Sequence, residues 1–230
     1  MARGVLRALA ATDGGSMRIG VLGTGVVGQA VASRLAELGH DVVMGAREAG
    51  SERATEWAAG HRGRAGTFAT AAGHGELVVN ATSGVASLVA LEAAGRDRLA
   101  GKVLLDLANP LDFSRGFPPC LAVVNTDSLG ELIQRTFPEV RVVKALNMVN
   151  CEVMVHPEQV PGEHTTFMAG EDGAAKELVA ALLRELGWRD IVDLGGISAA
   201  RGMEMYVVFW VQTRMALGTS TFNVQLRRAG

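Results

Sequence analysis

The sequence has few cysteines and no long apolar run, and each absence excludes a class of protein. Two cysteines, Cys120 and Cys151, occur in 230 residues, and they form neither a C-x-x-C pair nor a zinc-ligand spacing. We therefore expect no disulfide and no metal site, and we expect both thiols to be small buried groups in a reducing compartment. The longest apolar run, residues 205–211, is far shorter than a membrane-spanning helix.

The chain also lacks a block of charge of either sign. Its formal net charge is -2 at pH 7, from 22 basic and 24 acidic residues that are spread along the sequence. Such a chain offers no obvious surface for nucleic acid or for an anionic membrane. We therefore expect a cytoplasmic protein whose partners are small molecules. Its motifs do not combine into a Ser/His/Asp set, a Cys/His set or a close carboxylate pair, so no catalytic acid, base or nucleophile is predicted.

The most informative motif is rich in glycine and lies near the start of the chain. A short apolar strand runs directly into a Gly-x-Gly-x-x-Gly pattern, and an amphipathic helix follows it. The pattern consists of Gly23, Thr24, Gly25, Val26, Val27 and Gly28. Its first glycine permits a tight turn, its second lets backbone amides approach a pyrophosphate, and its third lets the helix pack against the strand. The pattern predicts a dinucleotide site at the positive end of that helix.

The end of the second strand indicates which dinucleotide is bound. In an NAD site, a carboxylate at this position accepts hydrogen bonds from the adenine ribose hydroxyls. Here the strand ends with Ala46 and Arg47, a small residue followed by a guanidinium. This pair leaves room for a 2'-phosphate and neutralises it, which predicts NADP(H) as the cofactor. The alternative is that Arg47 is only a solvated loop residue.

Strands and helices continue to alternate through a sixth strand at residues 141–146, which predicts an α/β Rossmann fold with a doubly wound parallel sheet. Ligands bind beyond the carboxyl ends of the strands in such sheets. The candidate binding residues in these loops are Asn80, Ala81, Thr82, Ser83, Gly84, Asn109, Pro110 and Asn147. Each also has a structural explanation, because Asn109-Pro110 is a common turn and Asn147 could simply cap its strand.

The chain divides into three predicted segments. Residues 1–16 have no apolar core long enough for a signal peptide and are predicted to be a disordered extension, so that translation could start at Met1 or at Met17. Residues 17–150 form the predicted NADP-binding Rossmann domain, and residues 151–230 form a small C-terminal α/β domain. Its last helix, residues 198–217, places Met203, Val207 and Trp210 with Arg214 on one face. The methionine and aromatic content of that helix predicts a homodimer interface.

Six short motifs along the chain occur together in one family of oxidoreductases. They are Gly23-Thr24-Gly25, Leu38-Gly39-His40, Gly45-Ala46-Arg47, Asn109-Pro110-Leu111, Lys144-Ala145-Leu146-Asn147, and Ala200-Arg201 with Glu204. In these motifs the sequence resembles the coenzyme F420-dependent NADP oxidoreductases, particularly the actinobacterial members, from Arg18 to about Arg228. The same domain is similar to the cytosolic part of the membrane ferric reductases, which pass hydride from NADPH to flavin.

The resemblance implies hydride exchange between C4 of the nicotinamide and C5 of the deazaflavin coenzyme F420. It also implies that residues 24–27 hold the pyrophosphate and that Ala46 and Arg47 hold the 2'-phosphate. Gly84, Asn109 and Cys151 would then line the nicotinamide half, with Asn147 near the deazaflavin. Two alternatives stay open, namely FAD or FMN in place of the deazaflavin, and a non-catalytic protein that senses NADP(H).

Overall fold

A computed structural model describes residues 15–229, so most of the predicted N-terminal extension and the last residue lie outside it. The strands, in chain order, are β1 (Arg18–Leu22), β2 (Asp41–Ala46), β3 (Gly63–Thr67), β4 (Leu77–Asn80), β5 (Val103–Asp106), β6 (Leu111–Asp112), β7 (Cys120–Leu121), β8 (Arg141–Ala145), β9 (Thr165–Ala169) and β10 (Asp190–Asp193). Eight of them form one sheet in the order β10-β9-β8-β5-β4-β1-β2-β3, and β6 pairs with β7 in a separate hairpin.

Helices cover both faces of this sheet. They are α1 (Val26–Glu37), α2 (Glu52–Gly60), α3 (Phe68–His74), α4 (Ser87–Ala94), α5 (Arg96–Leu99), α6 (Leu129–Thr136), α7 (Cys151–Val155), α8 (Gly173–Glu185) and α9 (Ala200–Leu217). Short 3-10 turns lie at Gly84–Ala86, Pro157–Gln159 and Ile197–Ala199. The predicted Rossmann-type architecture is thus confirmed.

The apolar strands build two cores because successive side chains point to opposite faces of the sheet. In β2, Val42 and Met44 belong to the core beneath α1 and α8, whereas Val43 belongs to the core on the other face. Trp188 is fully buried in the first core and Ile133 in the second. A parallel sheet covered on both faces explains why these strands read as nearly continuous apolar runs.

The order of the strands places the ligand crevice beside β1. The chain passes from β1 outward through β2 and β3, then returns to β4 on the other side of β1 and continues outward through β5 and β8. The direction of winding therefore reverses between β1 and β4, and both strands are parallel to their neighbours here. Open α/β sheets bind ligands at this reversal, beyond the carboxyl ends of the strands.

The segment after residue 150 extends the same sheet. Strand β9 runs antiparallel to β8, with Ala145 opposite Met168, and β10 runs parallel to β9. The first residue of β9 therefore lies at the same edge of the sheet as the carboxyl end of β8. The strand, helix and strand predicted for this segment are present as β9, α8 and β10. Its separation at residue 150 as a domain of its own stays a prediction.

Helix α9 and the chain that follows it run along the β8 and β9 side of the molecule. The predicted face of the helix is correct at Met203 and Val207, which are buried, but Arg214 is exposed and Val211 lies on the buried face instead. After Gly218, which ends the helix in a left-handed conformation at φ 68°, the chain reaches the first residue of β9, where the Thr165 N–H donates to the carbonyl oxygen of Val224 at 2.9 Å. No helix in residues 15–229 is long and apolar enough to cross a bilayer.

Candidate functional site: a dinucleotide cradle and a cleft

The glycine-rich turn after β1 is shaped by close contacts with its neighbours. Gly23 has φ +123°, and a Cβ at this position would lie 2.5 Å from the carbonyl oxygen of Ala81. A Cβ at Gly28 would lie 2.1 Å from the carbonyl oxygen of Gly23. A Cβ at Gly25 would meet nothing within 4 Å, so the middle glycine faces open space. The turn is therefore tightly packed behind and open in front, as a site for a backbone-bound ligand requires.

The start of α1 leaves backbone donors available at this turn. Gly25 is the N-cap residue, no side chain caps the helix, and its first turn contains no acidic residue. The first N–H groups of a helix have no partner within the helix and carry its positive pole. Gln29 donates a hydrogen bond from Nε2 to the carbonyl oxygen of Thr24 at 3.0 Å, which fixes the turn. Residues 24–27 thus present donors that could hold a pyrophosphate.

The predicted 2'-phosphate pair lies at the end of β2, next to β1. Ala46 is buried at 4% exposure, and Arg47 is exposed immediately beyond it. Within the part of the chain that the structure describes, no carboxylate lies within salt-bridge distance of the Arg47 guanidinium. The guanidinium is therefore free to bind an anion at the end of the crevice opposite the cleft described next.

A cleft of about 310 Å³ opens at the carboxyl edge of β4, β5 and β8 and is closed on one side by α9. The sequence-predicted residues that line it are Val27, Ala81, Thr82, Ser83, Gly84, Asn109, Asn147 and Cys151. Four segments thus meet at one place, namely the start of α1 and the chain that follows β4, β5 and β8. Pro110 is buried behind the wall, and a Cβ at Gly84 would lie 2.1 Å from the carbonyl oxygen of Asn109, so these two loops are pressed together.

Asn80 lies beneath the cleft rather than in its wall. It is fully buried and donates from Nδ2 to Asp106 at 2.8 Å and to Ser87 at 3.0 Å. Its Oδ1 accepts a hydrogen bond from the Thr82 hydroxyl at 2.7 Å. Asn80 therefore shapes the loop at residues 81–84 from below, which is a supporting role that the strand-end position alone does not reveal.

Two carboxamides bridge the loops after β5 and β8. Asn147 donates from Nδ2 to Asn109 Oδ1 at 2.9 Å and to the carbonyl oxygen of Met203 at 3.0 Å. Asn109 donates from Nδ2 to the carbonyl oxygen of Asn147 at 2.8 Å. Leu146, just before Asn147, has φ 59°, which is costly for a residue with a branched side chain. The loops are therefore held in one strained arrangement that joins them to α9.

A buried ion cluster lies under these carboxamides, and sequence reasoning missed it. Lys144 Nζ lies 2.7 Å from Asp106 and 2.8 Å from Glu204, and all three side chains are buried. Nζ also donates to the carbonyl oxygen of Ala108 at 2.5 Å. Burial alone would lower the pKa of Lys144, but the two carboxylates outweigh it and raise the pKa above its ordinary value. The sequence signal was a lysine inside an otherwise apolar strand.

Each carboxylate of this cluster is also held by backbone and amide donors. Glu204 accepts hydrogen bonds from the N–H groups of Leu129 and Gly130, at 2.8 and 3.0 Å, at the start of α6. Asp106 accepts from Asn80 and from the Ala108 N–H at 3.2 Å. Every hydrogen-bond partner of the two carboxylates is a donor. The cluster thereby ties β5, β8, α6 and α9 together directly under the cleft.

The cleft is also lined by two aromatic residues that sequence reasoning did not assign to the site. Phe113, from the β6–β7 hairpin, lines the cleft although it is 58% exposed, and Trp210 lines it from α9. Hairpin residues of this kind show no helical or strand periodicity, so no pattern marked Phe113. The cleft thus combines a carboxamide wall with an aromatic wall.

The cysteines differ from their predicted environment. Cys120 is exposed on β7, and Cys151 is half-buried at the start of α7, where it lines the cleft. Both are free thiols. Burial, together with the neighbouring Glu152 carboxylate, raises the pKa of the Cys151 thiol. The thiol in the cleft is therefore protonated near neutral pH and is a poor nucleophile.

A larger depression of about 910 Å³ lies elsewhere, around Trp188, His164 and the tail residue Arg228. None of the sequence-predicted site residues lines it, and it is remote from the glycine-rich turn. Within residues 15–229, no group of three or more His, Cys, Asp or Glu side chains is arranged to hold a metal ion. The residues fit a dinucleotide instead. The Arg47 guanidinium follows β2, the glycine turn follows the neighbouring strand β1, and the cleft follows β4, β5 and β8 on the other side of β1.

Comparison with known proteins identifies the family. The sequence profile of the coenzyme F420-dependent NADP oxidoreductases matches residues 18–110. The chain is also 50% identical to a candidate F420-dependent NADP-reductase from Arthrobacter sp. FB24, over 93% of this chain and 100% of that one, with a TM-score of 0.89. The protein belongs to the coenzyme F420-dependent NADP oxidoreductase family. The family prediction is thus confirmed, and membership makes the protein an NADP-dependent oxidoreductase.

More distant relatives share parts of this structure. The rat metalloreductase STEAP3 is 27% identical over 214 residues, which cover 87% of this chain but only 39% of the rat protein. The present chain therefore spans about two fifths of the length of that relative. An imine reductase from Streptomyces aurantiacus is 20% identical with a TM-score of 0.62, over 86% of this chain and 63% of that one. At this level of identity the likeness concerns the fold alone.

Proposed function

We propose that this NADP-dependent oxidoreductase transfers hydride between NADPH and the deazaflavin coenzyme F420. The observation that carries the proposal is the 50% identity with the candidate F420-dependent reductase, which extends over the whole of that protein. The cleft supports it independently. Its wall consists of carboxamides, small residues and aromatic rings, which suits two stacked planar rings better than it suits acid–base chemistry.

The bound cofactors supply the redox chemistry, and the protein contributes binding, orientation and exclusion of water. Residues 24–27 bind the pyrophosphate through the start of α1, and Arg47 binds the 2'-phosphate. Gly84, Asn109 and Cys151 line the nicotinamide end of the cleft. Hydride would pass directly between two carbons, and the proton that completes the reduction of the deazaflavin would be taken up from solvent, so no side chain is assigned an acid or base role.

Phe113 and Trp210 lie on the acceptor side of the proposed site. Both are large and aromatic, and both line the cleft, Phe113 from the segment between β6 and β7 and Trp210 from α9. A planar conjugated acceptor can stack on such rings while they keep water away from the reacting carbons. The β6–β7 hairpin and α9 would then select for a flat ring system.

A flavin is the second candidate acceptor. FAD and FMN have the same tricyclic shape as the deazaflavin, and the resemblance to the membrane ferric reductases implies a flavin acceptor. A non-catalytic role in sensing NADP(H) is the third candidate. It predicts that the protein binds NADP(H) and reduces no acceptor.

The test is a steady-state assay of the purified protein with NADPH and, in parallel, coenzyme F420, FMN or FAD. We expect loss of the deazaflavin absorbance at a catalytic rate, with much slower reduction of both flavins. Faster reduction of FMN or FAD would favour the flavin reductase. Tight binding of NADPH without turnover of any acceptor would favour the sensor.

The proposal includes a homodimer in the cytoplasm. Helix α9 buries one face in the protein and exposes an apolar face at helical spacing, formed by Met205, Val208, Phe209 and Met215. A second copy of the chain is the occupant that we propose, since a two-fold interface can pair this face with itself. Because Trp210 and Val207 of the same helix line the cleft, dimerisation would also hold that wall in place.

A further inference from the structure

We infer that Asn147 Oδ1 accepts a hydrogen bond from the carboxamide NH2 of the bound nicotinamide. The inference rests on the NADP(H) half of the proposed function and does not depend on which acceptor is used. It assigns Asn147 to the recognition of the nicotinamide group itself, whereas the family resemblance placed this residue only near the deazaflavin.

The first observation is an acceptor without a partner. Asn147 is only 2% exposed, and its Oδ1 forms no hydrogen bond with any residue from 15 to 229. Buried polar atoms are nearly always paired, because an unpaired one costs about 1–3 kcal/mol. Of the four buried side-chain atoms that lack a partner in the described chain, only Asn147 Oδ1 and Trp210 Nε1 belong to residues that line the cleft.

The orientation of the carboxamide is settled by its other partners. The Nδ2 group of Asn147 donates to Asn109 Oδ1 and to the Met203 carbonyl oxygen. Rotation of the amide by 180° would place an oxygen against these two oxygens and lose both hydrogen bonds. The unpaired atom is therefore the oxygen, and the missing partner is a donor.

The chemistry of the cleft narrows the class of that donor. An amide oxygen disfavours a phosphate or a carboxylate, so the partner is a neutral N–H or O–H group. Among the other polar side chains of the wall, the Thr82 hydroxyl donates to Asn80, and both ends of the Asn150 carboxamide are bonded. Trp210 Nε1 is a second atom without a partner, and this donor forms no hydrogen bond with Asn147 Oδ1. The nicotinamide carboxamide is the group of NADP(H) that carries a neutral NH2 and must enter this cleft.

The buried ion cluster gives this acceptor a rigid base. The ion cluster and the carboxamide hydrogen bonds join the same three segments of the chain. Asp106 lies three residues before Asn109, and Lys144 lies three residues before Asn147. Glu204 directly follows Met203. Lys144 and Asp106 hold the carbonyl and the N–H of Ala108, directly before Asn109. The cluster thus holds the two carboxamides in position before a ligand binds.

The test compares binding of NADP⁺ with binding of its 3-acetylpyridine analogue, in which a methyl ketone replaces the carboxamide and removes the NH2 donor. Dissociation constants are measured by calorimetry for the wild type and for Asn147→Leu, with Asn147→Ala as a second variant should the first not fold. Asn150→Leu is the matched control, since Asn150 also lines the cleft but has no free atom. A general distortion of the cleft would weaken the binding of both ligands equally and leave the ratio of their dissociation constants unchanged.

We expect the wild type and Asn150→Leu to bind NADP⁺ about three- to tenfold more tightly than the analogue, the value of one hydrogen bond. In Asn147→Leu or Asn147→Ala this preference should disappear. A wild type without the preference, or an Asn147 variant that keeps it, overturns the inference. Failure of NADP⁺ and NADPH to bind at all overturns the proposed function instead, whereas a preserved preference without F420 turnover contradicts only its acceptor half.

Discussion

Arg47 is the single residue whose proposed role can be measured most selectively. It is exposed beyond the buried Ala46 and has no ion-pair partner among the described residues. Its guanidinium can therefore bind a phosphate without breaking an existing ion pair. We predict that Arg47→Ala weakens NADPH binding by about 1–3 kcal/mol, as expected for a lost charge-assisted hydrogen bond. NADH lacks the 2'-phosphate, so its affinity should hardly change.

Fluorescence titration with NADPH and NADH measures this difference directly. Arg62→Ala is a suitable control, because Arg62 is exposed just before β3 and therefore lies at the opposite edge of the sheet. Equal losses of NADPH and NADH affinity in Arg47→Ala would mean that the guanidinium does not read the 2'-phosphate. In that case the end of β2 would no longer argue for NADP(H).

The β6–β7 hairpin offers two phenylalanines with nearly the same exposure and different positions. Phe113 is 58% exposed and Phe117 is 57% exposed, yet only Phe113 lines the cleft. We predict that Phe113→Ala raises the KM for the acceptor about two- to tenfold, the range of one aromatic contact, and leaves the dissociation constant of NADPH unchanged. Phe117→Ala should change neither. Equal effects of the two substitutions would show that the hairpin does not form the acceptor wall.

The Glu131 carboxylate of α6 is hydrogen-bonded to Arg201 of α9, and the strength of this link depends on pH. Arg201 donates two hydrogen bonds to Glu131, at 2.8 and 2.5 Å, and the Ser128 hydroxyl donates a third at 2.8 Å. The Arg201 hydrogen bonds outweigh partial burial and, with Ser128, lower the pKa of Glu131 below its ordinary value of about 4.5. A lowered folded-state pKa adds stability above about pH 4.5, and this stability is lost as the pH falls further.

We therefore predict that the free energy of unfolding decreases below about pH 4.5 and that Glu131→Gln removes part of this decrease. Urea denaturation at a series of pH values measures it. Glu163→Gln, at an exposed position, should retain the pH dependence of the wild type. An unchanged pH dependence in Glu131→Gln would contradict the assignment of this carboxylate as the link between α6 and α9.

For the molecule as a whole, the exposed face of α9 predicts a dimer. We expect sedimentation equilibrium at micromolar concentration to give twice the mass of the chain. Phe209→Asp places a charge in the apolar face and should shift the protein to a monomer, because an unpaired charge is costly in an interface. Val89→Asp, an exposed apolar position on α4, serves as the control. A monomeric wild type would remove the dimer from the account.

The fold was largely predictable because its signals are local. The glycine turn and the apolar strands each depend on residues close together in sequence, and the structure has both. The antiparallel direction of β9 was not predictable, since no short pattern encodes the direction in which a strand joins a sheet. Domain separation at residue 150 likewise depends on long-range packing.

The residues of the candidate site that directly follow a strand could be predicted from the sequence. The residues that meet only through contacts between distant parts of the chain could not. Loop residues such as Thr82 and Asn109 were found because they follow buried strands, and they do meet in one cleft. The ion cluster joins residues 106, 144 and 204, and no local pattern links them. Asn80 shows the limit of the strand-end rule, because its side chain turns down into this cluster instead of out to the cleft.

Hydride transfer from the nicotinamide to the deazaflavin can be followed with an isotope label. NADPH dideuterated at C4 of the nicotinamide is incubated with the protein and oxidised coenzyme F420, and the reduced deazaflavin is analysed by mass spectrometry. We expect each reduced molecule to carry one deuterium at C5, because hydride moves between stacked rings without exchange with water. Reduced deazaflavin without the label, or no reduction at all, would contradict it.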